Sequence, residues 1–113
     1  MKNTEFIKSG AFNVADVIDY VPNSVVIKSI IKRITGNVSA VSFDSGELLC
    51  RKTSPFETFI QIIEGNAEIV IDDESNLLKT GQSIIIPAHT RNTIKANEKF
   101  KMISTLIKSG YED

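Results

Sequence analysis

Short apolar runs closed by turn residues recur along this chain from residue 25 to residue 107. Residues 25–31 are rich in β-branched side chains and predict a strand, and Gly36 predicts the turn that follows it. Apolar and polar side chains alternate in residues 67–71, which predicts a strand with one buried face. The same criteria predict further strands at residues 38–43, 47–51, 59–63, 84–86, 93–95 and 100–107.

The segment before the first strand predicts a short helix instead. Asn13 can cap a helix N-terminus, and Asp16 would then lie in the first turn, where the helix dipole favours an acidic side chain. Pro22 ends the helical pattern, so we expect only one or two helical turns.

Strands this short, with turn signals about every 8–12 residues, are typical of an all-β sandwich or barrel. The acidic stretch at residues 72–76 predicts one of these turns, because it lacks the ligand spacing of a calcium loop. The 113 residues suffice for one domain with its own core. We expect an N-terminal arm with the short helix at 1–24, a barrel at 25–108 and a loose tail at 109–113.

The charge and the cysteine content exclude several classes of partner. The net charge is -1 and the lysines are scattered, so no polybasic surface is expected for nucleic acid or membrane binding. Cys50 is the single cysteine, which rules out an internal disulfide and fits a reducing compartment. The sequence has no apolar signal core and no run of membrane-spanning length. We therefore expect a cytoplasmic protein.

Two segments resemble the conserved motifs of the cupin superfamily, a group of small barrels with the double-stranded β-helix (jelly-roll) fold. Gly46 and Gly65 have the spacing of the glycines that bracket the first motif, and Gly81 and Pro87 open the second with the expected gap. Similar stretches at residues 13–16, 61–69 and 100–102 extend the resemblance over nearly the whole chain. It implies an all-β jelly-roll barrel with a short N-terminal helix, and commonly a homodimer.

At the four positions where that family has its metal ligands, this chain has different residues. Lys52 and Ser54 replace the two histidines of the first motif, Thr58 replaces its glutamate, and Asn92 replaces the histidine of the second. Hydroxyl and carboxamide groups are poor substitutes for imidazole and carboxylate ligands, and a protonated ammonium cannot ligate a metal. The resemblance therefore implies a cupin barrel with a degenerate metal site and no metal cofactor.

Five residues near these positions are candidates for binding a small polar or anionic molecule: Lys52, Ser54, Glu57, His89 and Asn92. If the ligand positions of the family point inward, residues 52 and 54 face the cavity, and strand alternation adds Cys50. Lys52 could then hold an anionic or carbonyl-bearing ligand, with Glu57 as its ion-pair partner. Alternatively, the Lys52 ammonium extends into solvent.

The remaining candidates also have structural alternatives. His89, the single histidine, follows Pro87 in a turn where a positive φ is common, so it is either an exposed turn residue or a base at the cavity. Asn92 could hydrogen-bond a bound molecule or its own turn. Glu57 could be a base or a solvated loop residue. Cys50 could be a small inward-facing apolar side chain or a reactive thiol, and we expect the former.

Three classes of function stay open at this point. The first is a module that binds a small polar or anionic molecule in the barrel, and the second is a metal-dependent oxygenase or isomerase with shifted ligands, Glu57 and His89. The third is a structural protein whose dimer surface is the functional part. Because an exposed apolar edge is a liability in a monomer, we expect strand 25–31 to pair between the subunits of a homodimer.

Overall fold

The computed structural model describes residues 8–108. These residues form nine strands in chain order: β1 (Val25–Arg33), β2 (Gly36–Phe43), β3 (Leu48–Arg51), β4 (Glu57–Glu64), β5 (Asn66–Ile71), β6 (Glu74–Lys79), β7 (Ser83–Ile86), β8 (Asn92–Lys95) and β9 (Phe100–Ile107). The predicted tail at 109–113 and the first seven residues of the predicted arm lie outside the described residues.

The strands form two antiparallel sheets. One sheet has the order β1-β2-β9-β4-β7, and the other has the order β3-β8-β5-β6. The chain moves between the sheets several times, so strands adjacent in space are often distant in sequence, such as β2 beside β9 and β3 beside β8. This arrangement confirms the predicted all-β jelly-roll fold.

The core lies between the inner faces of the two sheets. Phe43 and Phe100 are cross-strand partners in this core, and their rings stack with centroids 4.6 Å apart. The other fully buried core side chains come from both sheets: Val41, Ile60, Ile62, Ile69, Ile94 and Met102. Alternate residues point into the core along β4, where Ile60 and Ile62 are buried, as the two-residue period of a strand requires.

A tight turn at Gly65 joins β4 to β5 and depends on glycine. Its φ of 82° lies in the left-handed region, and a Cβ atom there would approach the backbone oxygen of Lys99 to 2.6 Å. Any other residue would therefore force the chain at Lys99 to move.

The predicted short N-terminal helix is present only as a 3-10 turn. The segment forms a single 3-10 turn, Val14–Asp16, and the side chain of Asn13 makes no capping hydrogen bond. The segment lies on the outer face of the five-stranded sheet, where Ile18 is 3% exposed and packs with Ile30 and Ala40. The backbone N–H groups of Asp16 and Val17 donate hydrogen bonds to the carbonyls of Asn13 and Val14, which form the turn, and apolar contacts hold the segment against the sheet.

The acidic turn predicted at residues 72–76 is shorter in the structure. Only Asp72 and Asp73 form the turn, with φ angles of 46° and 71°, as expected for a two-residue hairpin turn of type I′. Residues 74–76 belong to β6 and pair with β5, for example Asn76 with Ile69. Polar side chains on the exposed face of a hairpin strand have the same composition as a turn, which explains the error.

The described residues contain no helix that is long and apolar enough to cross a membrane.

Candidate functional site

Most of the residues singled out in the sequence lie at one end of the barrel. β3 ends there at Arg51, β8 begins there at Asn92, and β4 begins there at Glu57. The loops at residues 52–56 and 87–91 connect these strand ends, and a 2.6 Å hydrogen bond from the backbone N–H of His89 to the carbonyl of Ser54 joins the loops. We call this region the Arg51 end of the barrel.

Strand β3 has the opposite orientation from the one predicted. Leu49 packs against the barrel core and Cys50 is exposed, so the prediction that Cys50 points into the cavity as a buried apolar residue is wrong. The Cys50 Sγ instead accepts a hydrogen bond of 3.7 Å from the Thr93 hydroxyl on the neighbouring strand. A shift of one residue exchanges the two faces of a strand. Lys52 is exposed and lies beyond the end of β3.

Arg51 faces inward, whereas the sequence predicted this orientation for its neighbours Cys50 and Lys52. It follows Leu49 by two residues and is half-buried. Removal from water lowers the pKa of its guanidinium below the ordinary arginine value. The structure gives the Arg51 side chain no hydrogen bond or ion pair within residues 8–108. The barrel end therefore contains a partly desolvated cation whose donors have no partner among the described residues.

Asn92 lies directly across from Arg51, since the two are cross-strand partners in the β3–β8 ladder. Asn92 is only 7% exposed, and the strand alternation places it on the same inner side as the fully buried Ile94. Its side-chain oxygen Oδ1 is buried and accepts no hydrogen bond from the part of the chain that the structure describes. A buried acceptor without a partner costs about 1–3 kcal/mol, so this amide is unfavourable in the protein alone.

A groove of about 410 Å³ lies at the Arg51 end along the outer face of the four-stranded sheet, where Cys50, Thr93 and Val70 are adjacent cross-strand partners. Arg51 and Asn92 both line it, with three basic and two acidic side chains in the complete set: Cys50, Arg51, Lys52, Val70, Asp72, Asp73, Arg91, Asn92 and Thr93. The backbone N–H of Asp72 donates to the carbonyl of Arg91, and the backbone N–H of Arg91 donates to the Asp72 carboxylate, so the hairpin turn is held against the second loop. The groove has room for a small molecule.

The other predicted site residues contribute to the loops instead of to this groove. The Ser54 hydroxyl accepts a 3.2 Å hydrogen bond from the backbone N–H of Phe56, which stabilises the turn into β4. His89 is exposed and has a φ of 65°, so the expected positive φ is confirmed. Glu57 is exposed as the first residue of β4. None of these three lines the groove.

The residues at the ligand positions of the cupin resemblance do not fit a divalent metal ion. Lys52, Ser54, Thr58 and Asn92 offer an ammonium, two hydroxyls and a carboxamide, which is not the imidazole and carboxylate set that such ions need. Elsewhere in residues 8–108, no group of three or more histidine, cysteine, aspartate or glutamate side chains could hold a metal.

Arg51 was not among the residues predicted from the sequence, although its neighbours Cys50 and Lys52 were. The pattern of residues 48–51 is Leu-Leu-Cys-Arg, in which either alternate pair is a plausible inward face. Only the pairing of β3 with β8 decides between the two. No signal in the local sequence could have replaced that information.

Three solved structures are similar to this chain. A conserved protein of unknown function from Streptococcus pyogenes is 23% identical with a TM-score of 0.85, and the match covers 94% of this chain and 92% of that one. A cupin 2 conserved barrel domain protein from Leptotrichia buccalis is 27% identical with a TM-score of 0.81, covering 86% of this chain but 47% of that one. A cupin superfamily protein from Desulfitobacterium hafniense is 24% identical with a TM-score of 0.82, covering 89% and 93%.

No protein-family model matches this chain, and no curated protein matches it. Structural similarity at these levels of identity shows the fold, and the same fold supports many activities. The chain has the cupin fold, as its sequence motifs predicted.

Proposed function

Given the cupin fold of this chain, we propose that it is a binding module that holds a small anionic molecule at the Arg51 end of the barrel. Arg51 supplies the positive charge, and Asn92 supplies a hydrogen-bonding group beside it. Lys52 and Arg91 also line the groove, so its three basic side chains outnumber the two carboxylates of Asp72 and Asp73. The proposed ligand is anionic, as expected from the sequence. The residue proposed to bind its charge is Arg51, whereas the sequence favoured Lys52.

The observation that carries this proposal is the half-buried guanidinium of Arg51, which has no hydrogen-bond or ion-pair partner within residues 8–108. Burial of a charged group is unfavourable unless an opposite charge or several hydrogen bonds compensate it. A carboxylate or phosphate compensates a guanidinium well, because its oxygens accept two parallel N–H hydrogen bonds. A small anion in the groove would therefore supply what residues 8–108 do not.

A metal-dependent enzyme has less support from the same region. Glu57 and His89, the shifted ligands considered from the sequence, belong to no group of three metal-binding side chains among the described residues. A binding role requires only the charge and hydrogen-bonding groups of Arg51 and Asn92.

The test is an NMR titration of the protein with sodium propionate. We expect amide signals of the Arg51 end to shift, and we expect Arg51→Met to weaken binding about tenfold or more, since a charge-assisted hydrogen bond contributes about 1.5–3 kcal/mol. Arg33→Met is the matched control, because Arg33 is exposed at the end of β1 and is outside the groove. Equal binding by both variants would contradict the proposal.

A second role, as a homodimer, is supported by strand β1. It lies at the edge of the five-stranded sheet formed by the described strands, and it exposes Ile27 and Ile31. Ile34 in the following turn is 93% exposed. An apolar edge of this kind favours pairing with a second copy of the chain.

A further inference from the structure

We infer that the ligand of the Arg51 end carries a protonated amine as well as its anionic group, as an ω-amino acid does, and that Asp73 binds the amine. The inference rests on the proposed function and makes it more specific, because it adds a second contact of opposite charge on the far side of the groove. Arg51 would bind the carboxylate at one end of the ligand, and Asp73 would bind the ammonium at the other.

The groove contains charges of both signs that do not pair with one another. Its basic side chains are those of Arg51, Lys52 and Arg91, and its carboxylates are those of Asp72 and Asp73. Within the described part of the chain, neither carboxylate forms an ion pair with a lysine or an arginine. Opposite charges in one small groove attract each other, so their separation needs a cause in the fold.

The strand order of the four-stranded sheet supplies this cause. Arg51 at the end of β3 pairs with Asn92 on β8, and Asn92 pairs with Ile71 at the end of β5. The hairpin turn that carries Asp72 and Asp73 follows Ile71 directly. Because neighbouring strands lie about 4.8 Å apart, the backbone of Arg51 and that of the turn are separated by about 10 Å. A ligand with one charge at each end can contact both sides, whereas a simple carboxylate contacts only one.

Of the two carboxylates, Asp73 is the one available to a ligand. The Asp72 carboxylate accepts a 3.3 Å hydrogen bond from the backbone N–H of Arg91 and so contributes to the turn. Asp73 is exposed, and its side chain has no hydrogen bond or ion pair to any residue from 8 to 108. An ionised carboxylate only accepts hydrogen bonds, so its partner must be a donor. An ammonium supplies three donors together with the opposite charge.

The probes that test the inference are hexanoate and 6-aminohexanoate, which differ only in the terminal ammonium. Both are titrated into the full chain by NMR in buffer without added salt, because salt screens exposed charges. We expect 6-aminohexanoate to bind about threefold more tightly than hexanoate, as is typical of one exposed ion pair. Arg51→Met should weaken both acids, since both have the carboxylate that it binds.

Asp73→Asn is the decisive variant. It removes the charge but keeps a side chain that tolerates the left-handed conformation of the turn, where φ is 71°. It should weaken 6-aminohexanoate and strengthen hexanoate, which no longer meets a carboxylate, so the ratio of the two affinities falls to one or below. Glu74→Gln is the matched control, because it removes the same charge one residue later, at an exposed position outside the groove. It should keep the threefold ratio.

The possible failures are distinguishable from one another. If the two acids bind equally well and Arg51→Met weakens both, the inference is overturned while the proposed function stands. A preference for 6-aminohexanoate that persists in Asp73→Asn, or that Glu74→Gln removes equally, also overturns it, because the ammonium then does not bind Asp73. If neither acid binds at the Arg51 end, the proposed function fails as well. Thermal melting and NMR spectra of each variant verify that it is folded.

Discussion

The phenol group of Tyr20 donates a 2.6 Å hydrogen bond to a carboxylate oxygen of Glu64, and this contact ties the N-terminal arm to strand β4. Lys101 is the third residue of this group, which we call the Tyr20 cluster. Its ammonium lies 3.9 Å from the same Glu64 oxygen and 5.0 Å from the centre of the Tyr20 ring. The three residues are far apart in sequence and meet on the outer face of the five-stranded sheet. They hold the arm over the small apolar cluster around Ile18.

The Tyr20 contact predicts a loss of stability in alkaline solution. Burial raises the pKa of Tyr20 well above its ordinary value of 10.0, and the hydrogen bond to Glu64 and the charge of Glu64 act in the same direction. Because the folded state retains the proton, this contribution is complete below the unfolded value of 10.0 and is lost as the pH rises above it. Urea unfolding between pH 8 and pH 11 should show a steeper decline for the wild type than for Tyr20→Phe. Parallel curves for the two proteins would contradict this prediction.

Lys101→Met should loosen the N-terminal arm. Lys101 is 8% exposed, and its ammonium donates a 2.6 Å hydrogen bond to the carbonyl of Ala15. Loss of this charged donor should cost about 1.5–3 kcal/mol of stability and raise hydrogen exchange in residues 13–20. Lys99→Met is the matched control, since Lys99 lies at the same 5.0 Å from the Tyr20 ring but is exposed. A similar loss in both variants would show that the buried hydrogen bond is not the cause.

Asn92→Leu should make the protein more stable in the absence of ligand. The substitution removes a buried oxygen without a partner and adds apolar side-chain volume, which predicts a gain of about 1–2 kcal/mol in the free energy of unfolding. Asn76→Leu is the contrasting variant, because the Asn76 amide donates to the carbonyls of Ile69 and Glu74, both at 3.2 Å. Its loss should destabilise the protein. Urea unfolding measures both changes, and a destabilised Asn92→Leu would mean that Asn92 has a structural role.

The β1 edge predicts that the protein is a dimer in solution. Sedimentation velocity should give about twice the 12.5 kDa mass of one chain. Ile31→Lys should convert the dimer to monomer, because it places a charge on the apolar edge. Leu77→Lys, on the exposed surface of β6 in the other sheet, should have no effect on the mass. A wild-type protein that sediments as a monomer at every concentration would refute the prediction.

The candidate site was only partly predictable from the sequence. Asn92 was identified through the cupin resemblance, and the structure places it at the barrel end with an unsatisfied oxygen. The sequence favoured Lys52 as the cation, whereas the half-buried cation is Arg51, one residue earlier. In a strand, this single position separates the inner face from solvent. Ser54 and His89 lie in adjoining loops, where backbone hydrogen bonds account for their geometry.

The sequence by itself determined the fold class, because alternating apolar residues and the glycines at the turns are local features that act within a few residues. Gly65 is one example, since its conformation is required wherever the β4–β5 turn is placed. Only the tertiary structure decided which face of β3 points inward and which residues meet in the Tyr20 cluster. These features depend on pairings such as Arg51 with Asn92, which are 41 residues apart (92 − 51), and no local preference encodes them. Pairing between distant strands sets the position of each charge in the barrel, and burial then determines its chemistry.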